Sequence, residues 1–228
     1  MTVRRLPSSD TRGMTVIELA FTISILGLMM YFALRGEALV QSMRGLAVSY
    51  ELQQYQRLVL SYQANFGELP GDDELGPKKW RREPTLTTIS DDVLASTAGD
   101  GKINGKLYDI GNPSGEQFAV WRDLRFAGMV DGDPQFEGAS ALPENPFGGF
   151  YAFDEGNLGQ RGGSLCATKV PGSAALQIDT RIDDGKINEG LVVATSKFSV
   201  EQKNHFDTPD TEPYNVEKEY IICLPMLP

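Results

Sequence analysis

Histidine is almost absent from this 228-residue chain, which carries only His205, and cysteine occurs twice, at Cys166 and Cys223. One His excludes a His-rich metal site and argues against a Ser-His-Asp or zinc hydrolase; two Cys cannot build a Cys-only zinc site. Basic residues are in the minority, 21 Lys and Arg against 31 Asp and Glu, for a net charge of −10. Phosphate backbones are gripped by clustered cations, so no nucleic-acid partner is expected. Proline is missing from Met14 to Phe66, which permits a long unbroken helix, and charge is missing from Leu19 to Leu34. Hydrophobic residues still make up 41% of the chain, too many for a disordered one, and the length suits one domain plus an extension.

From Met14 to Leu34 the sequence reads MTVIELAFTISILGLMMYFAL, interrupted by Glu18 alone. About 20 mostly apolar residues cross a bilayer core as a helix. Arg4, Arg5 and Arg12 precede the run with only Asp10 against them, which favours a cytoplasmic amino terminus. A secretory signal would have a shorter core and an Ala-x-Ala-like cut, whereas here Arg35-Gly36-Glu37 follows. A plain membrane anchor explains the length but leaves Glu18 unexplained, since a charge at a helix centre in lipid costs at least about 2.5–3.5 kcal/mol. The first turn of a helix favours that carboxylate, but its own terminus is not expected to cover it fully.

The stretch Arg12-Gly13-Met14-Thr15-Val16-Ile17-Glu18-Leu19 resembles the processing motif of the type IV pilin and pseudopilin family: a Gly, a cut, an apolar residue, and Glu fifth in the mature chain. The resemblance implies that prepilin peptidase cuts between Gly13 and Met14 and methylates Met14, and that Glu18 is the assembly carboxylate. Other pilin or pseudopilin subunits and inner-membrane lipid are the partners it implies. The expected organisation is a leader over 1–13, a transmembrane and filament-core helix over 14–35, an amphipathic half of the same helix over 36–67, and a head over 68–228. The fold class is α+β, a long helix packed on a small head with an antiparallel sheet, as in pilins. The implied function is that of a structural, non-enzymatic subunit, a minor one given its large head, of a type II secretion pseudopilus or type IV pilus. It would first sit in the bacterial inner membrane with its head in the periplasm. The alternative is a membrane-anchored periplasmic binding or adhesion module that recognises a secreted substrate or a surface.

Past the membrane stretch, Leu39, Met43, Leu46 and Tyr50, then Tyr55, Leu58, Val59, Tyr62 and Phe66 recur at helical steps and predict one buried stripe. Gly36 and Gly45 weaken the helix modestly, and Gly67 with Pro70 ends it. A charged loop follows over 68–84. A second helix is predicted from Gly115 to about Val130, opened by a Ser114/Gln117 capping box and burying Phe118, Trp121, Leu124 and Ala127. Strands are predicted over 149–153, 190–195 and 219–224. Residues 173–183 are ambiguous: Ala175, Ile178 and Ile182 fit a helix, which Gly185 would end. Weaker likenesses to larger pilin-like heads lie at Pro70-Gly-Asp-Asp73, Trp121-Arg-Asp-Leu124 and Ile178 to Gly185.

Asp-Gly-Lys-Ile-Asn occurs twice, at 100–104 and 184–188. It resembles the middle of an EF-hand calcium loop, but the outer ligand positions fall on Ser96, Ala98 and Leu107, and on Thr180, Ile182 and Leu191. A turn with Gly at positive φ is the simpler account; if structural calcium binds, the candidate ligands are Asp100, Asn104, Asp183 and Asp184. No other cofactor is expected. Cys166 and Cys223, both on the exterior side that the resemblance implies, form either a disulfide or two buried thiols. Oxidising surroundings favour the bridge, and a bond near the carboxyl terminus resembles the pilin habit of pinning the last strand.

Overall fold

Free of proline and broken by no strong stop signal, residues Val16–Phe66 form one 51-residue α-helix, α1. The computed structural model describes residues 13–73, 99–107, 115–156, 158, 163–197 and 208–226. The leader up to Arg12, the basic stretch around Trp80, Ser114 and the segment with His205 lie outside them. Two units are distinguished by their internal contacts, 1–41 and 42–228.

In the first unit the described residues up to Phe32 are exposed. Within α1 a window of 18 residues has mean hydropathy 2.0 and none of it is buried. One helix is therefore long and apolar enough, by length and composition, to cross a membrane.

The second unit is α+β, with a small antiparallel sheet. Among the described residues its α-helices after the α1 segment are α2, Glu116–Phe126, and α3, Gly172–Ile182. Its strands are β1, Tyr151–Asp154; β2, Ser164–Pro171; β3, Val193–Thr195; and β4, Glu219–Pro225. The order across the sheet is β1-β2-β4-β3, all antiparallel. Three of these strands were predicted within a few residues. The strand β3 starts later than expected, where the amides of Leu191 and Val192 donate to Asp183. β2 was not predicted at all. It is central, and its residues Ser164 to Thr168 are buried, so it lacks the alternation that marks a half-exposed strand. A bulge shifts its register between Ala167 and Val170, with exposed Lys169 at φ 55°.

The buried face of α1 in this unit is Val48, Leu52, Val59 and Tyr62, all fully buried, with Tyr55, Leu58 and Phe66 packed beside them. This corrects the first half of the predicted stripe: Met43 and Tyr50 are 58% and 53% exposed, and Leu39, in the other unit, is also exposed. Small residues make the contact instead. Gly45 faces α3, where an added Cβ would lie 3.1 Å from Gln177 Oε1 and 3.4 Å from Ala174 Cβ, and the Gln177 amide donates to Ser42 Oγ at 2.9 Å. Tyr50 is held from outside by Arg181, whose guanidinium stacks over its ring and donates to its hydroxyl at 2.8 Å.

Further along, Tyr55 meets Trp121 of α2 and Tyr151 of β1 edge-on, with centroids 4.9 and 5.2 Å apart. Burial pushes the Tyr55 phenol up to about 12, and the nearby Glu51 carboxylate adds to this. The Tyr151 hydroxyl donates to Glu51 Oε2 at 2.5 Å. α2 keeps its predicted apolar face, but its start differs from expectation. Its N-cap is Gly115, with no side-chain cap. Gln117 is buried against Gly105 and Gly115, where any Cβ would overlap its amide, so its side chain is spent on packing.

Candidate functional site

The amino-terminal motif and the two repeated turns are the places where the sequence promised function. Gly13, Met14 and Thr15 precede the first turn of α1 and are exposed. The Glu18 amide donates to Thr15 Oγ1 at 3.3 Å, while the Thr15 amide and hydroxyl donate to Glu18 Oε2 at 3.0 and 3.1 Å. This is a reciprocal capping box, Thr-x-x-Glu at the start of a helix. It adds partial cover to the expectation that its own terminus does not cover Glu18 fully: Thr15 supplies two hydrogen bonds to Oε2, and the Thr-to-Glu spacing of three was the signal.

The two Asp-Gly-Lys-Ile-Asn segments fold the same way at their centres. Asp100 Oδ1 accepts the Lys102 amide, and Asp184 Oδ1 accepts the Lys186 amide, each at 2.9 Å. Gly101 and Gly185 take φ of 81° and 80°, which Gly adopts without the strain a side chain brings. Ile103 and Ile187 are both 4% exposed and anchor their turns in the core.

Each Gly amide donates to a buried aspartate outside the five-residue segment. For Gly101 it is Asp72 Oδ2, at 2.7 Å; Asp72 Oδ1 also accepts the amides of Gly99 and Asp100, at 2.6 and 3.0 Å. For Gly185 it is Asp179 Oδ1, at 3.0 Å, while Asp179 Oδ2 accepts the Tyr214 hydroxyl at 2.7 Å. Asp72 thus gathers three amide donors on one carboxylate. Asp179 has one amide and one phenol. Burial raises its carboxyl above the usual range, and those two donors reduce the rise without reversing it.

The predicted ligands are brought together unequally. The Asn104 side-chain amide donates to Asp100 Oδ2 at 3.0 Å, so these two close their own turn. Asp183 and Asp184 meet Asp179, with one oxygen of each within 4.8 Å of the others. Among the described residues this is the group of three that could hold a cation, and Asp100 is not in one. All three carboxylates already accept donors: Asp183 Oδ2 takes the amides of Leu191 and Val192, and Asp184 lies 3.8 Å from Lys186 Nζ. Sequence reasoning missed Asp72 and Asp179 as anchors. Nothing local marks them, although each lies in a phrase noted for its resemblance to pilin-like heads.

The same device recurs around the head. Buried Glu116 accepts the Asn104 amide at 2.7 Å, Asp154 the Leu107 amide at 2.7 Å and Asp123 the Gly71 amide at 2.8 Å. Asp210 accepts the Ser196 amide and hydroxyl and the Thr195 hydroxyl. Burial alone would raise Asp210, but the donors from Ser196 and Thr195, with Lys197 nearby, hold it below its ordinary value.

Cys166 and Cys223 are bonded to each other. They are fully buried register partners in the central pair of strands, with Cα atoms 4.1 Å apart. Of the two arrangements open from sequence, the structure has the bridge. No family model, no curated protein and no solved structure matches this chain.

Proposed function

We propose that the chain is a prepilin-type structural subunit, cut after Gly13 and assembled through α1 into a type II secretion pseudopilus or a type IV pilus. The observation that carries the reading is the junction at Gly13-Met14-Thr15-Val16-Ile17-Glu18, a non-helical and exposed Gly-Met bond running directly into an apolar helix with Glu in its first turn. A peptidase needs an accessible, unwound peptide, and a filament core needs an apolar helix that the rest of the chain leaves uncovered. Both conditions hold for the described residues. The basic leader favours the amino terminus on the cytoplasmic face of the inner membrane, and the disulfide suits a head in the oxidising periplasm.

Glu18 then serves assembly by exchanging partners. Its intrachain cap from Thr15 satisfies the carboxylate in a lone subunit, and the amino-terminal cation freed by cleavage on a neighbouring subunit offers a stronger partner in low dielectric. Intact mass of the membrane-extracted protein is the test: the expected product lacks residues 1–13 and carries one methyl on Met14. An unprocessed terminus in a strain with active prepilin peptidase would overturn the reading. In processed protein, Glu18→Ala is expected to keep insertion and lose incorporation into filaments.

A further inference from the structure

We draw no further inference here: the strongest candidate, the apolar groove between the latter half of α1 and the end of β4, lined by Gln56, Arg57, Leu60, Ile182, Leu191 and Leu224, carries none because nothing in the structure shows what covers it.

Discussion

Asp72 is where the carboxylate anchoring of the head can be tested most directly. Its side chain is 2% exposed and accepts three amides, those of Gly99, Asp100 and Gly101. Hydrogen bonds to a carboxylate acceptor contribute about 1.5–3 kcal/mol each, so the gross value of three is roughly 4.5–9 kcal/mol. The three donors sit on residues that are themselves exposed, so water takes over much of the bonding once the acceptor is gone. Asp72→Ala should therefore destabilise the head by about 2–3 kcal/mol. Asp72→Asn keeps an oxygen for Gly99 and Asp100 but turns an NH2 toward the Gly101 amide, and should cost about 1–2 kcal/mol. Urea unfolding of the full chain in detergent gives the totals. Hydrogen exchange at the Asp100 and Gly101 amides gives the local effect, which is strong protection in the native protein and rapid exchange in Asp72→Ala; the Gly99 amide keeps its 2.8 Å bond to the Asp72 main-chain carbonyl. If the Asp100 and Gly101 amides exchange at the same rate in both proteins, Asp72 does not hold the turn and the anchoring argument fails.

Replacing both cysteines, Cys166→Ala with Cys223→Ala, frees a loop spanning a separation of 57 residues and should cost about 4 kcal/mol on the chain-entropy model. A loss below about 1 kcal/mol in denaturant unfolding would contradict it. At Gly45, Gly45→Leu should lose about 1–3 kcal/mol by overpacking against Ala174 and Gln177, despite better helix propensity. Gly36→Ala, with nothing within 4 Å, should gain up to about 1 kcal/mol; equal midpoints for the two would remove the close-packing account. Asp210 has a folded pKa below its unfolded one, so its stabilisation is present above the unfolded value and lost as pH falls through the folded one. The stability gap between native protein and Asp210→Asn should therefore shrink between pH 6 and pH 3, and a constant gap would refute it. Chelator should leave the thermal midpoint unchanged, because the Asp179, Asp183 and Asp184 oxygens already accept protein donors; a fall of several degrees, restored by calcium, would assign the trio a cation.

The parts of the fold that were legible in the sequence are those where large apolar residues or a missing proline speak locally. The 51 residues of α1 follow from the absence of Pro, and the buried face of α2 follows from Phe118, Trp121 and Leu124. β2 was illegible because Ser164, Ala167 and Thr168 carry little hydrophobic signal, yet as a central strand they are covered on both faces. The α1–α3 contact was hidden for a related reason. Ser42 and Gly45 meet Gln177 and Ala174, so the contact is written in small residues while the larger Met43 and Tyr50 are exposed. The anchors of the turns were illegible because their partners are remote: Asp72 meets amides 27 to 29 positions away.

That remoteness also explains why one pentapeptide behaves differently in its two settings. In the first copy the anchor, Asp72, arrives from the loop after α1, and the turn closes on the neutral amide of Asn104. The two carboxyl groups, Asp72 and Asp100, thus sit apart, one in a buried site rich in amides and one on an exposed turn. In the second copy the anchor, Asp179, belongs to α3, which ends at Ile182 immediately before the turn. A carboxylate one helical turn back from the end necessarily lies close to Asp183 and Asp184, so three acids crowd one place. Crowding and burial both favour a proton on Asp179, and the Tyr214 hydroxyl and Gly185 amide offset this in part. A cation there would have to compete with those donors for the same oxygens. The capacity for calcium that the repeated motif suggested therefore depends on where the anchoring carboxylate comes from, and the five repeated residues alone do not set it.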